Sequence, residues 1–75
     1  MTRDELIAWA QAHGWKLDRW GHLQKECPNG SLRLKLSRIA ARYEVSTPHG
    51  WTRVRSGYYK NLRLTADGKI AGMDR

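Results

Sequence analysis

The chain has 75 residues, 40% of them hydrophobic, with four tryptophans, three tyrosines and no phenylalanine. That is apolar area enough to fold, but only as one small domain over 1–75 without room for a large buried cavity. Fourteen Lys and Arg against seven Asp and Glu give a formal charge of +7, so the long-range field draws in polyanions and repels basic surfaces.

The single cysteine, Cys27, cannot close an intramolecular disulfide, and no apolar stretch reaches the length of a membrane span or signal-peptide core. A cytoplasmic protein in a reducing compartment, without membrane attachment, is the expectation. The opening Met1-Thr2-Arg3-Asp4 is read as bacterial or phage.

Thr2-Arg3-Asp4-Glu5 fits a capping box, in which the Thr2 hydroxyl accepts from the Glu5 N–H and the Glu5 carboxylate from the Thr2 N–H. Leu6, Trp9, Ala10 and His13 then recur at helical spacing with Ile7 beside them, while Asp4, Ala8 and Gln11 lie off that stripe. Gly14 supplies the left-handed residue that ends a helix, and Trp15 the apolar residue that packs back on its last turn. The spacing predicts a helix over 3–13.

Beyond Gly14 the period changes to two, and residues 15–71 read as β-rich. Trp15 to Asp18 and His22 to Glu26 form a hairpin around Arg19-Trp20-Gly21. Pro28-Asn29-Gly30 is a turn, because Pro presets a negative φ and Asn-Gly tolerates a positive one. Leu32-Arg33-Leu34-Lys35-Leu36 alternates without a break, one face apolar and the other cationic. At Ser37-Arg38 the apolar set moves from even positions to odd ones (Ile39, Ala41, Tyr43, Val45), which a β-bulge or tight turn explains; a short helix over 37–43 is the rival. Pro48-His49-Gly50 turns into Trp51 to Arg55, Ser56-Gly57 interrupts, and Tyr58 to Thr65 leads through Asp67-Gly68 into Lys69-Ile70-Ala71. Residues after Ala71 read as a loose end. The expected fold class is α+β: one N-terminal amphipathic helix on a twisted antiparallel sheet, a meander of about four to six short strands. Its inner face should hold Leu17, Leu23, Leu32, Leu34, Leu36, Tyr43, Val45, Leu62 and Leu64.

Eleven of the fourteen cations lie between residues 15 and 64, beside only Asp18, Glu26 and Glu44. On the alternation, Arg33, Lys35, Arg38, Arg42, Arg53, Arg55 and Arg63 point away from the Leu-rich face, and Trp51 and Tyr59 share that phase. Arginine offers paired donors to phosphate oxygens, and exposed aromatics give bases a surface to stack on. A sheet covered on one side must make its other side polar, but that does not explain why the charges share a sign. The expected function is therefore nucleic-acid binding, to DNA or RNA, through these nine residues. No cofactor or metal is called for, and the protein should be a monomer or a weak homodimer joined at an exposed strand edge. A second reading is a protein-binding adaptor or inhibitor, of the kind phages encode, docked on an acidic partner. The small size and the clustered Trp51, Tyr58 and Tyr59 favour it, because aromatics and arginine also build protein interfaces.

His13, His22, His49 and Cys27 fall on different elements without the spacing of a zinc site. His22 follows Gly21 in a turn beside Arg19, a position from which an imidazole can serve as general acid or base on RNA. Glu5-Leu6-Ile7, Gly14-Trp15, Arg19, Gly21-His22 and the hairpin into an alternating strand resemble the first half of the HicA family of small messenger-RNA-cleaving toxins, over residues 5 to 36. That family has a double-stranded-RNA-binding-domain-like α-β-β-β-α fold. The serine it carries between its glycine and histidine is missing here, and the second half reads as strands where the family closes with a helix. The resemblance implies a third reading: a ribonuclease of toxin–antitoxin type with His22 catalytic.

Overall fold

The computed structural model describes residues 1–74. Helix α1 (Arg3–Ala12) is followed by five strands, β1 (Lys16–Leu17), β2 (Leu23–Cys27), β3 (Gly30–Leu36), β4 (Ala40–Thr47) and β5 (Gly50–Tyr58). These form one antiparallel sheet in chain order. A 3-10 turn (Tyr59–Asn61) then leads to a separate hairpin of β6 (Arg63–Leu64) and β7 (Ile70–Ala71). The fold is α+β with a meander, as the change of period from helical to two predicts.

Local chemistry accounts for each boundary. The capping box is complete: Glu5 N–H donates to the Thr2 hydroxyl at 3.2 Å and Thr2 N–H to the Glu5 carboxylate at 2.9 Å. At the other end His13 is the cap rather than the last helical residue, its N–H donating to the Ala10 carbonyl at 2.9 Å. Two hairpins turn over Pro28-Asn29 and Pro48-His49 in the same way. Each closes on a glycine at positive φ, Gly30 at 135° and Gly50 at 111°. The phase change at Ser37 is a turn: Ser37 N–H donates to the Ala40 carbonyl at 2.9 Å and Ala40 N–H to the Ser37 hydroxyl at 3.1 Å. Residues 40–47 are strand, so the helical alternative over 37–43 does not hold.

Asp18 organises the β1–β2 turn. One carboxylate oxygen accepts from the N–H groups of Trp20 and His22, both at 2.9 Å, and the other from the Gln24 amide at 3.2 Å. Burial works to raise its pKa, but the His22 N–H, the Gln24 amide and the Trp20 N–H outweigh it, so the carboxyl lies below the ordinary aspartate range. A folded pKa below the unfolded one means the contribution is present above the unfolded value and lost as pH falls through the lowered folded value. Urea midpoints measured from neutral pH downward should therefore fall less steeply below about pH 4 in Asp18→Asn than in the wild type. Parallel acid limbs would show that the turn does not depend on the charge.

The core lies between α1 and one face of the sheet. Leu6 and Ala10 press on Leu23, Leu34, Leu36 and Ala41, with Trp15, Tyr59 and Leu62 closing the sides. Leu32, Tyr43 and Leu64 pack against this cluster half-buried. Leu17, expected inside, is exposed, because its two-residue strand lies at the edge of the sheet and pairs only with β2. The β6–β7 loop is tied to the end of α1. The Trp9 indole donates to the Thr65 carbonyl at 3.1 Å, and the His13 ring lies between the carbonyls of Trp9 and Ala66 at 2.8 and 3.2 Å. The segment after Ala71 is tied down as well. Ser56 and Asp74 exchange backbone hydrogen bonds of 2.6 and 2.7 Å, so it is not a loose end as far as Asp74.

Candidate nucleic-acid interface

On the face away from the helix, the register lines up Lys16, Gln24, Arg33, Glu44 and Arg53 across all five strands. The next row holds Lys35, Arg42 and Ser56. Glu44 lies in the middle of this basic surface with its side chain only 5% exposed, a burial an isolated carboxylate could not sustain. Arg33, its cross-strand neighbour, supplies the partner: Nε donates to Oε1 at 2.7 Å and Nη2 lies 2.6 Å from the same oxygen. Arg42 Nη1 is 3.9 Å from the other oxygen. The Arg33 guanidinium also stacks on Trp51, 4.4 Å from the ring centroid. Arg33 is therefore engaged by both Glu44 and Trp51. Arg33, expected as a phosphate anchor, thus already has an anionic partner within the protein.

Lys35, Arg42 and Arg53 converge on an open cleft of about 440 Å³ at one end of this face, beside Ser56, Tyr58 and Asn61. Arg53 Nη1 donates to the Ser56 hydroxyl at 3.3 Å. Among the described residues Lys35 and Arg53 have no carboxylate within ion-pair distance, and Arg42 has only the long contact to Glu44. Among the described residues the lining contains one carboxylate, Asp74. Tyr58 is 52% exposed, with the Lys60 ammonium 5.9 Å from its ring.

Four of the expected site residues fall elsewhere, and one irregularity displaces two of them, Arg55 and Tyr59. Tyr43 pairs with Arg55, but its neighbour Glu44 pairs with Arg53, so Val54 is an extra residue on β5. A bulge of one residue moves everything after it to the opposite face. Arg55 therefore sits opposite Tyr43 on the helix side of the sheet. Tyr59 turns into the core, 5% exposed, where its hydroxyl donates to the Ser37 carbonyl at 2.6 Å. Burial pushes its phenol pKa up, and the ring has no open face for a base. The aromatic on the basic face is the adjacent residue, Tyr58, which alternation through Val54 assigns to the wrong side. Arg38 is exposed in the β3–β4 turn, and Arg63 is exposed on the β6–β7 hairpin, outside the five-stranded sheet.

His22 is a structural contact. Its Nδ1 accepts the Leu36 N–H at 3.0 Å, joining the β1–β2 turn to the end of β3 and leaving only Nε2 for any other role. Among the described residues no three His, Cys, Asp or Glu side chains gather into a metal-sized group. Where the HicA fold closes with a helix, this chain has β5, the 3-10 turn and a hairpin. No described helix is long and apolar enough to cross a membrane. No protein-family model, curated protein or solved structure matches the chain.

Proposed function

We propose that the protein binds single-stranded nucleic acid across the outer face of the sheet, with phosphates held by Lys35, Arg42 and Arg53 and an unpaired base stacked on Tyr58. The observation that carries this reading is the meeting of three cations and an exposed aromatic at one open cleft. Two guanidinium groups and an ammonium can each take a phosphate oxygen, while a tyrosine ring can stack only on a base that is not inside a duplex. The Arg33–Glu44–Trp51 group lies beside them on the same face. A cytoplasmic location, where such strands are at hand, accords with this reading.

Fluorescence anisotropy with single- and double-stranded RNA and DNA of one length tests it. Single strands should bind more tightly. Tyr58→Ala should weaken them by about fivefold or more, at about 1–3 kcal/mol per stacked base, and leave the duplexes little changed. Equal binding of single strands and duplexes, or an unaltered Tyr58→Ala, would reject it.

The acidic-protein reading draws on another place. Trp20 is exposed at the β1–β2 turn with the Arg19 guanidinium 4.7 Å over its ring, and Leu17 and Ile39 are exposed as well. A partner retained after nuclease treatment and lost in Trp20→Ala would support it.

A further inference from the structure

The bulge that removes Arg55 from the basic face delivers it to a second cleft on the other side of the sheet, of about 340 Å³. Its apolar wall includes Trp15, Tyr43 and Met73, and its cations are Lys25, Arg55 and Lys69. The aromatics are fixed: Trp15 and Tyr43 meet edge to face, centroids 6.3 Å apart at 76°. Lys25 already lies over the indole, its ammonium 5.9 Å from the ring. Among the described residues no carboxylate lines the cleft, and none of its three cations has an ion-pair partner. Four strands and a hairpin thus bring together an apolar wall, presented by the half-buried Tyr43 and Met73 with Trp15 only 6% exposed, and three uncompensated charges.

We propose that this cleft binds a nucleoside monophosphate, its base against the half-buried Tyr43 and Met73 and its phosphate among Lys25, Arg55 and Lys69. The size suits a ligand at the small end of the usual range of pockets, and the charge suits a dianion. An aliphatic anion would leave the aromatic wall unused, and an inorganic anion would leave the apolar part wet. The site is distinct from the outer cleft, shares no residue with it and does not depend on it.

Two-dimensional NMR with adenosine and cytidine 5′-monophosphates tests the proposal, read at the Trp15 indole N–H and the Met73 methyl. Saturable shifts at both are expected, with adenosine alone and inorganic phosphate each binding at least about tenfold more weakly, as the loss of roughly one good contact implies. Arg55→Ala with Lys69→Ala, both at exposed positions, should weaken the monophosphates by a similar factor. Arg42→Ala with Arg53→Ala should leave them unchanged while weakening oligonucleotides, which separates this site from the outer one. The proposal is overturned if the shifts fail to saturate, if they map to Lys35, Arg42 and Arg53 instead, or if inorganic phosphate binds as tightly as the nucleotides.

Discussion

Arg33→Ala is expected to lower the stability of the protein by about 3 kcal/mol, the scale of breaking a buried ion pair from one side. The substitution strands Glu44, whose side chain is 5% exposed, with only the Arg42 guanidinium 3.9 Å away. It also strips Trp51 of the group stacked on it. Replacing both partners tells the pair apart from the packing. Arg33→Met with Glu44→Leu leaves no buried charge and should recover most of the loss, because desolvation opposes the attraction between the two ions. Urea midpoints of Arg33→Met, Glu44→Leu and the double variant form the cycle that measures this coupling. Additive losses would mean that the two side chains act separately.

Gly72→Ala is expected to be as severe, for a backbone reason. Gly72 has a φ of 91°, and a Cβ there would fall on the Asn61 carbonyl. Opposite it, a Cβ on Gly57 would come within 2.9 Å of the Gly72 carbonyl oxygen, so the two glycines together let the terminal segment close on β5. Gly30→Ala is the control. Its φ is also positive, at 135°, but a Cβ there meets nothing within 4 Å, so it carries the conformational cost alone. A loss of about 1 kcal/mol is expected for Gly30→Ala and at least about 3 kcal/mol for Gly72→Ala, or else detachment of the terminal segment. Detachment would be seen as faster hydrogen exchange at the Ser56 and Asp74 amides, which bond each other. Equal losses for the two alanines would show that the close approach is dispensable.

The features legible in the sequence are those decided within a few residues. The capping box, the Gly14 stop, the two Pro-X-Gly turns and the alternation of Leu32 to Leu36 each depend on local geometry, and each stands where the pattern puts it. The misplaced residues depend on pairing across the sheet. Trp51-Thr52-Arg53-Val54-Arg55 reads as unbroken alternation, and only the register against β4 shows that Val54 is extra, which moves Arg55 and Tyr59 off the basic face and brings Tyr58 onto it. Arg33 and Glu44 were visible as a cation and an anion eleven residues apart, yet nothing local makes them neighbours. The bond between Ser56 and Asp74 is hidden for the same reason, since it joins an interrupted strand to a tail with no pattern of its own.

The basic face itself survives these changes with fewer and better-defined members: Lys35, Arg42 and Arg53 at the cleft, with Arg33 engaged by Glu44. The most direct test of its role is the salt dependence of binding to a single-stranded oligonucleotide, for the wild type and for Arg42→Ala with Arg53→Ala. Each phosphate contact adds about 0.7 to the slope of log affinity against log salt on a single strand, so the double variant should bind more weakly with a slope shallower by about 1.4. A double variant with the wild-type slope and affinity, or a wild type that binds no nucleic acid at low salt, would contradict the account.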